Sequence, residues 1–131
     1  MTDLPLVDLR VLVVEDEFLI AMDIEQCCRD GGAAGVIICT DVTELGPDPW
    51  SESAFDVVVL DVMHAGKPSL DLAAALRDRG QPFVFATGYS GDDDLFADFP
   101  NVPIVPKPFA AEELLKALCE AVGRTCESGC V

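Results

Sequence analysis

Arg10-Val11-Leu12-Val13-Val14-Glu15-Asp16 is an apolar run that ends on two acids, and three later runs repeat the plan. Val57-Val58-Val59-Leu60 ends on Asp61, Phe83-Val84-Phe85-Ala86 ends on Thr87, and Ile104-Val105 leads through Pro106 to Lys107. Runs this short and this apolar, separated by helix-length segments, read as buried strands of a parallel sheet. Such a sheet gathers the carboxyl ends of all its strands on one edge, so three carboxylates, a hydroxyl and an ammonium should converge there. Anions held that close repel one another. A hard, oxygen-seeking divalent cation such as Mg²⁺ is the partner that keeps all three ionised together.

The segments between the runs carry helix signals. Residues 18–30 place Ile20, Ile24, Cys27 and Cys28 on one face and Asp23, Gln26, Arg29 and Asp30 elsewhere, with Gly31-Gly32 as the stop. Gly35-Val36-Ile37-Ile38-Cys39 is a second strand, and Pro47 and Pro49 in the next crossover rule out a regular helix through its middle. After Asp61 a loop with Gly66 and Pro68 reaches Ser69, an N-cap candidate for a helix that turns Leu72, Ala73 and Leu76 inward and ends at Gly80. Between Thr87 and Pro103 the glycines Gly88 and Gly91, the acids Asp92, Asp93 and Asp94, and Pro100 leave room for two helical turns around residues 95–99. The last helix opens with Glu112 and Glu113 at the positive end of its dipole, carries Leu114, Leu115, Leu118 and Val122, and stops at Gly123. The expected fold is α/β: a flavodoxin-like, doubly wound, five-stranded parallel sheet of order 2-1-3-4-5, with an irregular second helix and a short or mobile fourth. In that order the first and third strands are neighbours, and Glu15, Asp16 and Asp61 meet.

Composition narrows the class. A length of 131 residues with 50% hydrophobic content fits one domain with a real core. Eight basic residues against 24 acidic ones give a net charge of −16, which disfavours nucleic acid and anionic membranes and suits a metal cation or a basic protein partner. The opening residues lack the basic start and apolar stretch of a signal peptide, and no run is long enough to span a membrane, so the expected location is the cytoplasm. Cys27, Cys28 and Cys39 sit at packing positions and read as buried thiols, while Cys126 and Cys130 near the end read as free thiols of a frayed tail.

Taken in order, Val13-Val14-Glu15-Asp16-Glu17, Val57-Val58-Val59-Leu60-Asp61, Ala86-Thr87-Gly88 and Lys107-Pro108-Phe109 resemble the receiver domains of bacterial two-component response regulators. The resemblance implies a receiver domain over residues 1–123 with a short tail at 124–131. It implies a phosphoacceptor at Asp61, a direct Mg²⁺ ligand at Asp16, an acid acting on the metal through water at Glu15, and a carbonyl ligand at Met63. Thr87 then follows the phosphoryl group and Lys107 is its cationic partner, while Met63 and Tyr89 govern access. Pro82-Phe83-Val84-Phe85-Ala86-Thr87-Gly88-Tyr89 further resembles the signature of stand-alone receivers nicknamed FATGUY, which work with histidine kinases of the HWE type. Ile104 occupies the place where common receivers carry a rotating aromatic switch. The implied role is a regulatory phosphoacceptor, not an enzyme, loaded by a histidine kinase or histidine phosphotransferase and acting on an output protein the sequence does not name.

Each residue also has a plainer reading. Glu15 and Asp16 could cap the helix that follows them, Asp61 and Thr87 could be turn residues, and Lys107 a surface charge. Their joint order argues for a site. His64, three residues past Asp61, reads as a solvent-facing loop residue, and Trp50 as a cover over the second crossover. Two other functions fit part of the pattern: a receiver fold that binds partners without phosphorylation, and a haloacid-dehalogenase-type phosphatase. The phosphatase needs a second acid two residues after its nucleophile, where this chain has Met63.

Overall fold

The computed structural model describes residues 6–39, 55–61, 63–64, 67–68, 70–87, 97, 99–106 and 109–123. In chain order these form β1 (Arg10–Val14), α1 (Phe18–Asp30), β2 (Gly35–Cys39), β3 (Val57–Leu60), β4 (Met63–His64), β5 (Lys67–Pro68), α2 (Leu70–Arg79), β6 (Phe83–Thr87), β7 (Ile104–Pro106) and α3 (Ala111–Ala121). Five of the strands make one parallel sheet in the order β2-β1-β3-β6-β7, the 2-1-3-4-5 order expected for a flavodoxin-like doubly wound fold. One feature differs from the expected plan. The stretch after Asp61 is not all loop, because β4 and β5 pair antiparallel as a small ladder with Met63 opposite Pro68 and His64 opposite Lys67. The irregular second helix, the Ser69 cap and Trp50 fall outside the described residues, as do residues 95, 96 and 98 of the expected short helix.

Alternation along each buried strand divides the core into two layers, as a sheet covered on both faces requires. Val11, Val13, Val57, Val59, Val84 and Ala86 face one side, where they pack with Ala21, Ile24 and Cys28 of α1 and with Leu114, Ala117, Leu118 and Cys119 of α3. Leu12, Val14, Val58, Leu60, Phe83 and Phe85 face the other, against Ala73 and Leu76 of α2 and against Phe99. This second layer holds an aromatic triad with edge-on geometry. Ring centroids lie 5.5 Å apart for Phe83–Phe85 and Phe85–Phe99 and 6.2 Å for Phe83–Phe99, and the Arg77 guanidinium sits 5.2 Å from the Phe99 centroid.

The helix ends follow their residues. Gly32, Gly80 and Gly123 adopt positive φ of 93°, 72° and 80° after α1, α2 and α3. Gly31 serves a different purpose: its φ is −80°, but a Cβ there would come within 2.8 Å of Leu115 Cδ2 and 3.3 Å of Leu6 Cγ. Its missing side chain lets the buried Leu6, whose N–H donates to the Gly31 carbonyl, wedge between α1 and α3. At the start of α3, Glu113 Oε1 accepts the Ala110 N–H at 3.0 Å. That is half of a capping box, since Ala110 has no oxygen to return the bond.

Cys27, Cys28, Cys39 and Cys119 are thiols; Cys28 and Cys39 are buried as expected, whereas Cys27 is only partly buried at the edge of the core. Burial pushes the Cys28 thiol up to about 12 from 9.0, so its proton is retained in the folded chain through a pH range where the unfolded chain gives it up. The stability this provides is present below pH 9 and is lost as the pH rises toward 12. Alkaline denaturation of Cys28→Ala should therefore show a shallower fall of stability above pH 9 than the parent. Phe85, fully buried at the centre of the triad, should cost roughly 3–5 kcal/mol when truncated to alanine, read as a lower urea midpoint at an unchanged slope.

Candidate functional site: an acidic cluster at the strand ends

The site is built by register. Val14 pairs with Leu60 across β1 and β3, and the Asp61 N–H donates to the Val14 carbonyl at 3.0 Å, so the next residues on the two strands, Glu15 and Asp61, leave the sheet side by side. On the other side of β1 the Glu15 N–H donates to the Cys39 carbonyl at the end of β2 at 3.1 Å, extending the ladder one residue past β1. Leu60 pairs with Phe85 and Thr87 with Pro106, so Thr87 reaches the same edge.

One carboxylate oxygen each from Glu15, Asp16 and Asp61 lie within 4.8 Å of one another. Glu15 is 1% exposed and Asp61 7%, whereas Asp16 is open to solvent. The Glu17 N–H at the start of α1 donates to Glu15 Oε2 at 3.2 Å and fixes that carboxylate against the turn. Neither acid caps the helix in the usual way: the N-cap is Glu17, and its side chain makes no capping bond. Thr87 is fully buried at the end of β6. Two buried carboxylates beside an open third form an oxygen-rich cup with high negative charge density, the donor set a small hard cation selects.

Glu15, Asp16 and Asp61 are therefore brought together as the sequence predicts, and Thr87 is placed on their edge. Met63 begins β4, two residues past Asp61, and Ile104 begins β7. Lys107 and Tyr89, and the side chains of Met63 and His64, fall outside the described residues. Sequence reasoning missed one feature beside the site. Phe18, Leu19 and Met22 of α1 are 60%, 77% and 45% exposed, and the only sequence signal was that they fall outside the buried stripe of that helix.

No protein-family model matches the chain. The transcriptional activator protein PfeR of Pseudomonas aeruginosa is 31% identical over 108 residues, which are 80% of this chain. The match spans about a third of PfeR, 35% of its length. Among solved structures, SdrG from Sphingomonas melonis Fr1 is 34% identical, with 93% of this chain and 99% of SdrG covered at a TM-score of 0.65. A response regulator receiver protein from Sinorhizobium medicae is 24% identical over 88% of this chain and 95% of its own, at a TM-score of 0.74. The chemotaxis protein CheY4 of Vibrio cholerae is 24% identical over 86% and 97%, at 0.70. These two share the fold. A five-stranded sheet of this order with an acid-lined carboxyl edge is that of a response-regulator receiver. The chain belongs to the receiver domains of response regulators.

Three like charges in so small a space oppose folding until a cation neutralises them. Asp16→Asn should consequently raise the melting temperature in EDTA by a few degrees, a gain of about 1 kcal/mol. It should also shrink the further rise expected on adding Mg²⁺ to the parent chain, as read by differential scanning calorimetry with and without the ion.

Proposed function

We propose that the protein is a single-domain response regulator, of the FATGUY type, with its receiver over residues 1–123 and a short tail at 124–131. It takes a phosphoryl group onto Asp61 from the phosphohistidine of a histidine kinase of the HWE type or of a histidine phosphotransferase. It then signals through protein contacts or serves as a phosphate sink, and it works in the cytoplasm. The observation that supports this most is the meeting of Asp61 with Glu15 and Asp16 at 4.8 Å or less, on the edge where Thr87 ends its strand.

The chemistry follows from those groups. An Asp61 oxygen attacks phosphorus in line, the P–N bond to the donor imidazole breaks, and the departing nitrogen keeps the electron pair and takes up a proton. The product is an aspartyl phosphate. A bound Mg²⁺ supplies positive charge for the phosphoryl oxygens. Asp16 and Asp61, with the Met63 carbonyl and with Glu15 acting through water, are the residues that would hold it. The Thr87 hydroxyl and the Lys107 ammonium are assigned to the transferred oxygens, where a hydrogen-bond donor and a cation lower the cost of the developing charge. Glu15, buried and tied to the Glu17 N–H, keeps its carboxylate aimed at the cup without a change of conformation. Water attacking the same phosphorus returns the free carboxylate, at a rate set by the access that Met63 and Tyr89 are assigned to control. With Ile104 where common receivers carry an aromatic, the signal leaves the site without rotation of a ring at that position.

Asp61→Asn should abolish labelling by phosphoramidate and by a phosphorylated histidine kinase, because an amide cannot form an acyl phosphate. The parent's label should be lost on treatment with alkali. Labelling that survives in the variant would move the acceptor to another residue, with His64 the first to test.

A further inference from the structure

The outer margin of β2 is left open. This strand begins the sheet order β2-β1-β3-β6-β7 and, among the described residues, pairs with β1 alone. Successive residues of a strand turn their peptide groups to opposite sides, and those of Cys39 turn to β1, where its carbonyl accepts the Glu15 N–H. Gly35 and Ile37 therefore face β1 as well, and Val36 and Ile38 turn their N–H and C=O groups outward. Among the described residues nothing bonds to these four groups. Nor does the strand carry a device against pairing: Gly35-Val36-Ile37-Ile38-Cys39 holds no charge and no proline, and its three central residues are β-branched. Val36 and Ile38 pack half-buried against the layer of α1 and α3, whereas Ile37, beside Leu12 on the opposite face, is 54% exposed. An unpaired ladder and an exposed isoleucine thus share one five-residue strand.

The pattern of the strand selects its occupant. In an antiparallel pair, residues that exchange two backbone bonds alternate with residues that exchange none. Laid against itself about a two-fold axis through Ile37, β2 sets Val36 opposite Ile38 of the second copy, and Ile38 opposite its Val36. The outward groups then meet donor to acceptor, and the two Ile37 side chains fall at the close position between the bonded pairs, where they cover one another. Charge favours the same sense. The Glu15–Asp16–Asp61 cluster lies past the Cys39 end of β2, and the half-exposed Arg10 lies at the Gly35 end. Antiparallel pairing sends the two clusters to opposite margins, roughly 20 Å apart along the strands, and sets each on the margin where the other copy carries Arg10. That spacing is more than twice the screening length of about 8 Å. We propose that β2 is a self-association edge, through which two copies of this chain join β2 to β2 in one continuous sheet with five strands from each copy. The two-fold uses up both β2 margins, so pairing through this strand closes at two copies. A five-residue ladder is small beside the roughly 800 Å² per partner of a permanent interface, so the dimer is weak, with a dissociation constant on the order of 100 µM. The proposal goes beyond the phosphoacceptor reading of Asp61 and does not depend on it.

Two measurements on the full chain test this. Sedimentation should show a monomer that becomes a dimer as concentration rises, and Ile37→Lys, which sets two cations face to face at an exposed position, should raise the dissociation constant at least tenfold. The urea midpoint of the dilute variant should match that of the dilute parent, which shows that the monomer still folds. The second measurement needs no variant. Amide hydrogen exchange at Val36 and Ile38 should slow about fourfold between concentrations tenfold below and tenfold above the dissociation constant, while the Ile37 amide, already bonded to β1, keeps its rate. Added salt should tighten the dimer, because it screens the −16 that each copy carries. A dimer that salt dissolves is held by ion pairs and overturns the proposal. So does a dimer that Ile37→Lys leaves intact, or one in which all three amides slow alike, since its interface lies elsewhere. A parent that stays monomeric at about 1 mM, tenfold above the expected constant, also overturns it. If Val36 and Ile38 then slow only when an extended peptide is added, the occupant is a partner strand and not a second copy.

Discussion

The pairing of β1 with β3 is the constraint on which everything else depends. Parallel register of Val14 with Leu60, closed by the bond from the Asp61 N–H to the Val14 carbonyl, decides that two acids distant in sequence leave the sheet as neighbours. No feature local to either strand could do this. A slip of one residue would turn Val11 and Val13 toward the layer that Leu12 and Val14 now fill, so the same packing that excludes water from the core also fixes the spacing of the carboxylates. The acidic edge is held in place by apolar energy. Its mutual repulsion is a standing cost that the two hydrophobic layers carry and that a bound cation would relieve.

The sheet treats its two faces differently. One layer is aliphatic and joins α1 to α3, with Leu6 inserted where Gly31 leaves room. The other is aromatic, and there α2 meets the sheet through Leu76 and through Arg77 stacked on Phe99. Thr87 ends the strand that carries Phe83 and Phe85, so the hydroxyl on the functional edge and the rings of the aromatic layer belong to one rigid element. A change of Thr87 position is mechanically coupled to that layer before it reaches any other part of the molecule.

Much of this was legible in the sequence because the decisive signals are periodic or terminal. The span of α1, the inward face of α2 at Ala73 and Leu76, the stop at Gly80 and the strand order all follow from alternation, helical spacing and glycine punctuation. The union of Glu15, Asp16 and Asp61 followed from strand order alone. What escaped the sequence has a physical reason in each case. Two-residue strands such as β4 and β5 are too short to show a period. Gly31 and Gly32 look alike as a helix stop, yet one makes room for Leu6 and Leu115 and only the other needs positive φ. An apolar residue in a helix reads inward by default, so the exposure of Phe18, Leu19 and Met22 could be seen only once the stripe that satisfies the core was known.

The terminal strand β7 carries one more consequence. It is three residues long, lies at the end of the sheet, follows Pro103 and closes on Pro106. Proline has no N–H to give, so this margin offers an approaching strand almost no ladder to zip onto. A sheet whose inner strands are nearly pure valine, leucine and phenylalanine would otherwise be a template for stacking one molecule onto the next. Two prolines at this rim close that route on the β7 side of the sheet.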